Sequence, residues 1–211
     1  MTSFRPEHLR LYLVLDPEMV TDPAEVVRAS IRGGVSMVQL RWKGAADREI
    51  VALGGDLAAV CTSAGVPFLI NDRLDLAMAS GADGVHLGVD DLPLSHARAL
   101  APDAFVIGYS PERDDQIASA EREGADYLGI GPFAATSTKL DAGDELGSEE
   151  FARRRTHTTL PVVAIGGIGV RNAGEAREAG ADGIAVVSAI LRAEQPTLAA
   201  SQLLEAFQAG R

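Results

Sequence analysis

Three times in this chain the tripeptide Gly-Ala-Asp stands immediately before a short apolar run, at Gly81-Ala82-Asp83, Gly124-Ala125-Asp126 and Gly180-Ala181-Asp182. A glycine that stops a helix, followed at once by a strand signature, marks the join of a repeated αβ unit. Eight apolar runs are found, at residues 11–15, 37–40, 68–70, 84–87, 105–108, 127–130, 162–165 and 184–187. Most are continuous and rich in Val, Ile and Leu, the pattern of parallel strands covered on both faces. Helix-like segments lie between them. Thr21-Asp22-Pro23 offers a capping side chain and a first-turn proline, and its helix closes at Gly33-Gly34. From Asp47 the residues Ile50, Leu53, Leu57 and Val60 recur at helical steps until Gly65, and the internal pair Gly54-Gly55 predicts a weakened or broken helix. Further crossover helices are expected over 74–80, 94–101, 116–123, 149–155 and 171–179, with a last one from Pro196. Eight such units, with no composition shift to mark a linker, predict one α/β domain over residues 1–211: a closed (β/α)8 TIM barrel. An open doubly wound sheet is the alternative, but no Gly-x-Gly-x-x-Gly follows the first run.

Charge narrows the partners. Nineteen Lys and Arg face 30 Asp and Glu, a net charge of -11, so the clustered cations that grip a nucleic-acid backbone are missing. Phosphate chemistry here must rest on a few local cations. The one cysteine, Cys61, reads as a small buried residue and excludes a disulfide framework or a multi-thiolate metal site within the chain. No apolar run approaches the roughly 18 residues of a spanning helix, and the N-terminus lacks a basic segment leading into an apolar one. The expectation is a cytoplasmic enzyme or binding protein without membrane association, compatible with a homo-oligomer.

In a barrel of this kind, chemistry gathers where the strands end at their C-terminal side. The second run leads into Gln39-Leu40-Arg41-Trp42-Lys43, and period-two alternation puts Gln39, Arg41 and Lys43 on one face. That face reads as a diphosphate clamp or as a solvated strand end. Asn71-Asp72 follows the third run and His86-Leu87-Gly88-Val89-Asp90-Asp91 spans the end of the fourth. Carboxylates near phosphate-binding cations fit Mg2+; helix capping is the competing role for Asp72 and Asp91. His86, inside its run, reads as a hydrogen-bonded interior histidine. Gly108-Tyr109-Ser110 places a hydroxyl at the rim. The longest connection, residues 131–143, is rich in hydroxyls with one lysine, Lys139. Such a loop reads as a phosphate binder or as a mobile surface segment. Gly166-Gly167-Ile168-Gly169 and Val187-Ser188 follow the seventh and eighth runs, where barrels of this type commonly bind phosphate.

Taken in order, Gln39-x-Arg41-x-Lys43, Asn71-Asp72, His86-x-Gly88-x-x-Asp91, Gly108-x-Ser110, Thr136-x-Thr138-Lys139, Gly166-Gly167-Ile168 and Val187-Ser188 closely resemble thiamine-phosphate synthase. Enzymes of that family join a hydroxymethylpyrimidine diphosphate to a thiazole phosphate and release pyrophosphate, with Mg2+ as cofactor. The resemblance implies that Gln39, Arg41, Lys43 and Asn71 contact the pyrimidine diphosphate, with Asp72 and Asp91 on Mg2+ and Ser110 and Lys139 completing the clamp. It further implies that Thr136, Thr138, Gly166, Gly167, Val187 and Ser188 take the thiazole phosphate. Lys139, Arg41, Lys43 and Ser110 are then the catalytic set, acting by electrostatics and positioning without a protein nucleophile.

The chain departs from the family pattern at Trp42, usually acidic, and at Val89, usually glutamine. Further departures are Tyr109 and Pro111-Glu112, usually a valine and a small residue followed by histidine, and Ala135, usually proline. The related thiazole tautomerase, an isomerase using a histidine after the fifth strand, is an alternative, as is a non-catalytic binder of thiamine precursors. Glu112 stands where the tautomerase histidine would be. Residues 136–147 carry the hydroxyls, charges and glycines of a lid ordered by ligands. Lys139→Ala should depress turnover far more than it weakens thiazole phosphate binding; steady-state kinetics set against direct binding decides this, and equal losses count against a catalytic Lys139.

Overall fold

The computed structural model describes residues 4–136 and 144–210. Eight strands run in sequence order: β1 (Leu11–Leu15), β2 (Met37–Leu40), β3 (Phe68–Asn71), β4 (Gly84–Leu87), β5 (Val106–Tyr109), β6 (Tyr127–Ile130), β7 (Val162–Ile165) and β8 (Gly183–Val186). Each pairs in parallel with the next and β8 pairs with β1, so the sheet closes into a barrel. Helices α1 (Pro23–Arg32), α2 (Asp47–Ala64), α3 (Leu74–Ala79), α4 (Leu94–Leu100), α5 (Asp114–Glu123), α6 (Gly147–Arg155) and α7 (Ala173–Glu178) connect them. The short α8 (Ser188–Leu191) and α9 (Pro196–Ala209) follow the last strand. Among the described residues no helix is long and apolar enough to cross a membrane.

Closure explains why the strands read as unbroken apolar runs. Successive side chains alternate between the helix layer and the barrel interior, and both are dry. Leu11, Leu13, Val38, Ile70, Val85, Ile107, Leu128, Val162 and Ile184 belong to the outer core under the helices. Tyr12, Val14, Met37, Leu69, Val106, Tyr127, Val163 and Ala185 form a separate interior cluster.

The Gly-Ala-Asp repeat is a latch between strands. Gly81, Gly124 and Gly180 take φ of 69°, 103° and 94°, left-handed conformations that stop the preceding helix and favour glycine. The aspartates that follow pin the strand before. The backbone N–H groups of Asp83, Asp126 and Asp182 donate to the carbonyls of Phe68, Ile107 and Val162, each at 2.8 Å. Their carboxylates accept the N–H of those same three residues at 3.0, 2.7 and 2.8 Å. The latch thus joins β3 to β4, β5 to β6 and β7 to β8 at the end opposite the rim. Asp126 also takes a 2.6 Å bond from Arg98.

Two expectations change. α2 continues unbroken through Gly54-Gly55, because a Cβ at Gly54 would meet the Ser80 Cβ at 2.8 Å; that glycine lets α2 lie against the end of α3. β3 extends to Asn71, while β5 and β8 are displaced by one residue from the expected 105–108 and 184–187, a boundary shift that apolar runs alone do not resolve.

Asp83 is 4% exposed. Asp83→Ala should therefore cost about 2 kcal/mol by stranding a buried N–H that bonded to a carboxylate. Chemical denaturation should read this as a lower midpoint at unchanged slope; a loss below about 0.5 kcal/mol would contradict the latch.

Candidate active site

The barrel places its polar groups in two tiers. The lower tier is a buried chain of hydrogen bonds. Gln39, 3% exposed on β2, donates from Nε2 to the Tyr12 hydroxyl at 2.5 Å. The Tyr12 and Tyr127 hydroxyls lie 2.9 Å apart, Tyr127 lies 2.8 Å from His86 Nδ1, and His86 Nε2 lies 2.8 Å from Ser110 Oγ. Register accounts for the meeting of His86 and Tyr127: both pair with Gly108 of β5, one from each side. A Cβ on Gly108 would fall 2.3 Å from the Tyr127 hydroxyl and 2.4 Å from His86 Nδ1. Glycine there leaves the space through which the two rings touch. Burial drives the His86 imidazole down to about 4 against the weaker opposing pull of Asp72, and burial raises both tyrosine hydroxyls well above their ordinary value. All three side chains are neutral near pH 7.

The upper tier stands on the strand ends, held there by bonds that extend the sheet. The N–H groups of Arg41, Asp72 and Ser110 donate to the carbonyls of Leu15, His86 and Leu87 at 2.8, 2.8 and 2.9 Å. Lys43, 61% exposed, reaches across from β2 to the Asp72 carboxylate at 2.6 Å. Asp72 has φ of 63°, the one left-handed non-glycine among the described residues, a conformation that costs about 1–2 kcal/mol in an L-residue. Asp91 accepts the Gly88 N–H at 2.6 Å. Burial raises the Asp91 carboxyl above the usual range; the neighbouring Asp72 adds to this, while the Gly88 bond and Lys43 oppose it. Neither aspartate caps a helix: Arg73 and Pro93 occupy the N-cap positions of α3 and α4, without a side-chain cap. Lys43, Asp72 and Asp91 therefore form one mixed-charge cluster across three consecutive strand ends, with Asn71 closing β3 beside them.

The opposite side of the rim is built from main chain. Gly166 and Gly167 take φ of 89° and 67°. A Cβ on Gly166 would fall 2.7 Å from that of Pro132, and one on Gly167 2.5 Å from the Ala134 carbonyl, so the turn after β7 lies directly on the loop after β6. Asn172 fastens the turn, accepting the Gly169 N–H at 2.8 Å and donating to the Gly167 carbonyl at 3.0 Å. The Ile165–Ala185 pairing brings Val187 and Ser188, just past the end of β8, level with this turn. Thr136 is half-buried on the adjoining loop. Thr138 and Lys139, with most of the expected lid, lie outside the described residues.

Several departures from the family pattern find a place. Trp42 faces outward, packed on the outer core, with its Nε1 donating to Glu18 at 3.3 Å. Together with Lys43, Asp72 and Arg73 it lines a crevice of about 170 Å³ between the β2 and β3 connections. Tyr109 likewise packs on the outer core, and Glu112 is exposed, its N–H donating to Gln116 at the start of α5. Sequence reasoning missed Tyr12, Tyr127 and Asn172; a hydroxyl inside an otherwise apolar strand run was the signal for the first two. Among the described residues no three His, Cys, Asp or Glu side chains are grouped to hold a metal.

Known proteins share the sequence pattern and the fold. The family model described as thiamine monophosphate synthase matches residues 11–190. A thiamine-phosphate synthase of Herpetosiphon aurantiacus is 47% identical over 201 residues, covering 94% of this chain and 97% of the relative. One from Methanospirillum hungatei is 44% identical over 183 residues, covering 86% and 89%. The structure of a thiamine phosphate pyrophosphorylase from Pyrococcus furiosus superposes with a TM-score of 0.88 at 36% identity, covering 96% of this chain and 97% of that one. A 3-hexulose-6-phosphate synthase, at 17% identity and a TM-score of 0.69, shares the fold.

The buried chain sets a pH response. An unfolded chain takes up a proton on His86 near 6.5, the folded one only near 4. The stability contribution of the neutral ring is thus complete above about pH 6.5 and is lost as pH falls toward 4, with a slope of up to about 1.4 kcal/mol per unit. NMR of the imidazole should show no titration between pH 8 and 5; a midpoint near 6.5 would contradict the burial.

Proposed function

The chain belongs to the thiamine monophosphate synthase family, a transferase of thiamine biosynthesis, and we propose that the barrel rim joins a pyrimidine diphosphate to a thiazole phosphate with release of pyrophosphate. The observation that carries this reading is the Lys43–Asp72 pair with Asp91 beside it, facing the Gly166-Gly167 turn across the mouth. One side suits a diphosphate and the other a single phosphate.

Asp72 and Asp91 fit Mg2+. The pair offers carboxylate oxygens without competing sulfur or imidazole ligands, the donor set that leaves room for water and phosphate oxygens. Burial, with Asp72 adding to it, raises the proton affinity of Asp91, and a cation beside it would favour its charged form. Bound there, Mg2+ supplies charge neutralisation for the diphosphate oxygens.

The remaining steps belong to the chain. Arg41 and Lys43 hold the diphosphate oxygens, with Ser110 and Lys139 completing the set; Asn71 orients the pyrimidine end. The carbon–oxygen bond to the pyrimidine methylene breaks with its electron pair leaving on pyrophosphate, where these cations meet the developing charge. The electron-rich aminopyrimidine carries the methylene cation until the thiazole nitrogen bonds to it. The second substrate is held for that attack through its phosphate by main-chain N–H groups of the Gly166-Gly167 turn, with Thr136, Thr138, Val187 and Ser188 around it. Glycines at 108 and 129 keep the floor of the mouth open: a Cβ on Gly129 would stand 3.3 Å from Ser110 Oγ.

Purified protein given both substrates and Mg2+ should form thiamine phosphate and pyrophosphate in equal amounts, followed by chromatography, and should form neither with a chelator. Tight binding of both substrates without product overturns the reading.

A further inference from the structure

We propose that Gln39, Tyr12, Tyr127 and His86 form a one-way buried hydrogen-bond relay that makes Ser110 a hydrogen-bond donor aimed into the barrel mouth, with Tyr12, Tyr127 and His86 as positioning residues. This rests on the reading that Ser110 meets an anionic substrate.

With Nε2 of the Gln39 amide turned to the Tyr12 hydroxyl, proton counting gives the direction. The relay has four links, all within hydrogen-bond distance: 2.5, 2.9, 2.8 and 2.8 Å from Gln39 to Ser110. Each tyrosine hydroxyl has one hydrogen and two relay neighbours, so it donates to one and accepts from the other. Gln39 Nε2 can only donate. Tyr12 therefore accepts from Gln39 and donates to Tyr127, and Tyr127 donates to His86 Nδ1. The neutral ring must then carry its hydrogen on Nε2 and donate it to Ser110 Oγ. Ser110 accepts inward, and its own hydrogen is left for the mouth. In the reverse direction Ser110 would present lone pairs to an anion, which repel it.

The barrel is arranged around these links. Both tyrosines and the histidine are buried, and no described buried side-chain nitrogen or oxygen lacks a partner. Gly108 and Gly129 supply the clearance, with a Cβ on Gly129 lying 3.4 Å from His86 Cε1 as well as beside Ser110. Phe4 covers the Tyr127 ring from the far end, centroids 5.9 Å apart. A structural polar cluster needs its groups satisfied; it does not need to end on a half-exposed hydroxyl at the rim.

The test combines nitrogen-15 NMR of His86 with a kinetic cycle. At pH 7 the wild-type ring should be the Nε2–H tautomer; an Nδ1–H ring overturns the proposal, and this reading needs neither a variant nor turnover. Tyr127→Phe should release the tautomer preference and lower kcat about tenfold, as for loss of one oriented hydrogen bond, with KM changed less than about twofold. In a Ser110→Ala background the same change should have no further effect on kcat. A full additional loss there overturns action through Ser110. Should Tyr127→Phe fail to fold, Tyr12→Phe cuts the relay one link earlier and carries the same expectations. Absence of turnover by the wild-type protein would reject the proposed activity and with it the premise about Ser110, whereas a wild-type Nδ1–H ring in an active enzyme rejects the relay alone.

Discussion

The ladder that closes β8 onto β1 is the constraint from which the rest follows. An open sheet fixes the spacing of neighbours; a closed one also fixes which side chains face each other across the interior. Tyr12 on β1 and Tyr127 on β6 are 115 residues apart in sequence, and their hydroxyls meet only because the ring is complete. At the far end the three Asp latches set where β4, β6 and β8 begin relative to the strands before them. At the rim, Arg41, Asp72 and Ser110 continue β2, β3 and β5 by one additional sheet hydrogen bond each.

The rim adds local tension to this rigid base. An acidic chain places Lys43 against Asp72, leaves Asp91 beside them partly desolvated, and holds Asp72 in a left-handed conformation. Carboxylates crowded in this way cost stability. In the proposed reaction the same crowding favours the arrival of a cation beside Asp72 and Asp91. The interior chain works differently: neutral, fully paired and dry, it holds a direction instead of a charge.

Much of this was legible in the sequence. Eight apolar runs, glycine stops and the Gly-Ala-Asp recurrence specify the closed parallel barrel, because each is a local consequence of strands buried on both faces. The rim positions of Arg41, Lys43, Asp72 and Ser110 follow from lying just after those runs. What stayed hidden is non-local. Nothing near Gly108 in sequence says that it keeps His86 and Tyr127 in contact, since the space it leaves belongs to two other strands. Gly54 read as a weakness for want of Ser80, its partner on the next helix. Alternation puts Trp42 on the face opposite Arg41 and Lys43, but its partners there, the outer core and Glu18, come from other elements.

The central claim is that the Lys43, Asp72 and Asp91 cluster forms a diphosphate site dependent on a divalent cation. Calorimetric titration of inorganic pyrophosphate into the protein tests it most directly, with Mg2+ and then with a chelator. Saturable binding that needs Mg2+ and is lost in Asp72→Asn is the predicted result. Equal binding with the chelator, or undiminished binding by the variant, would contradict the account.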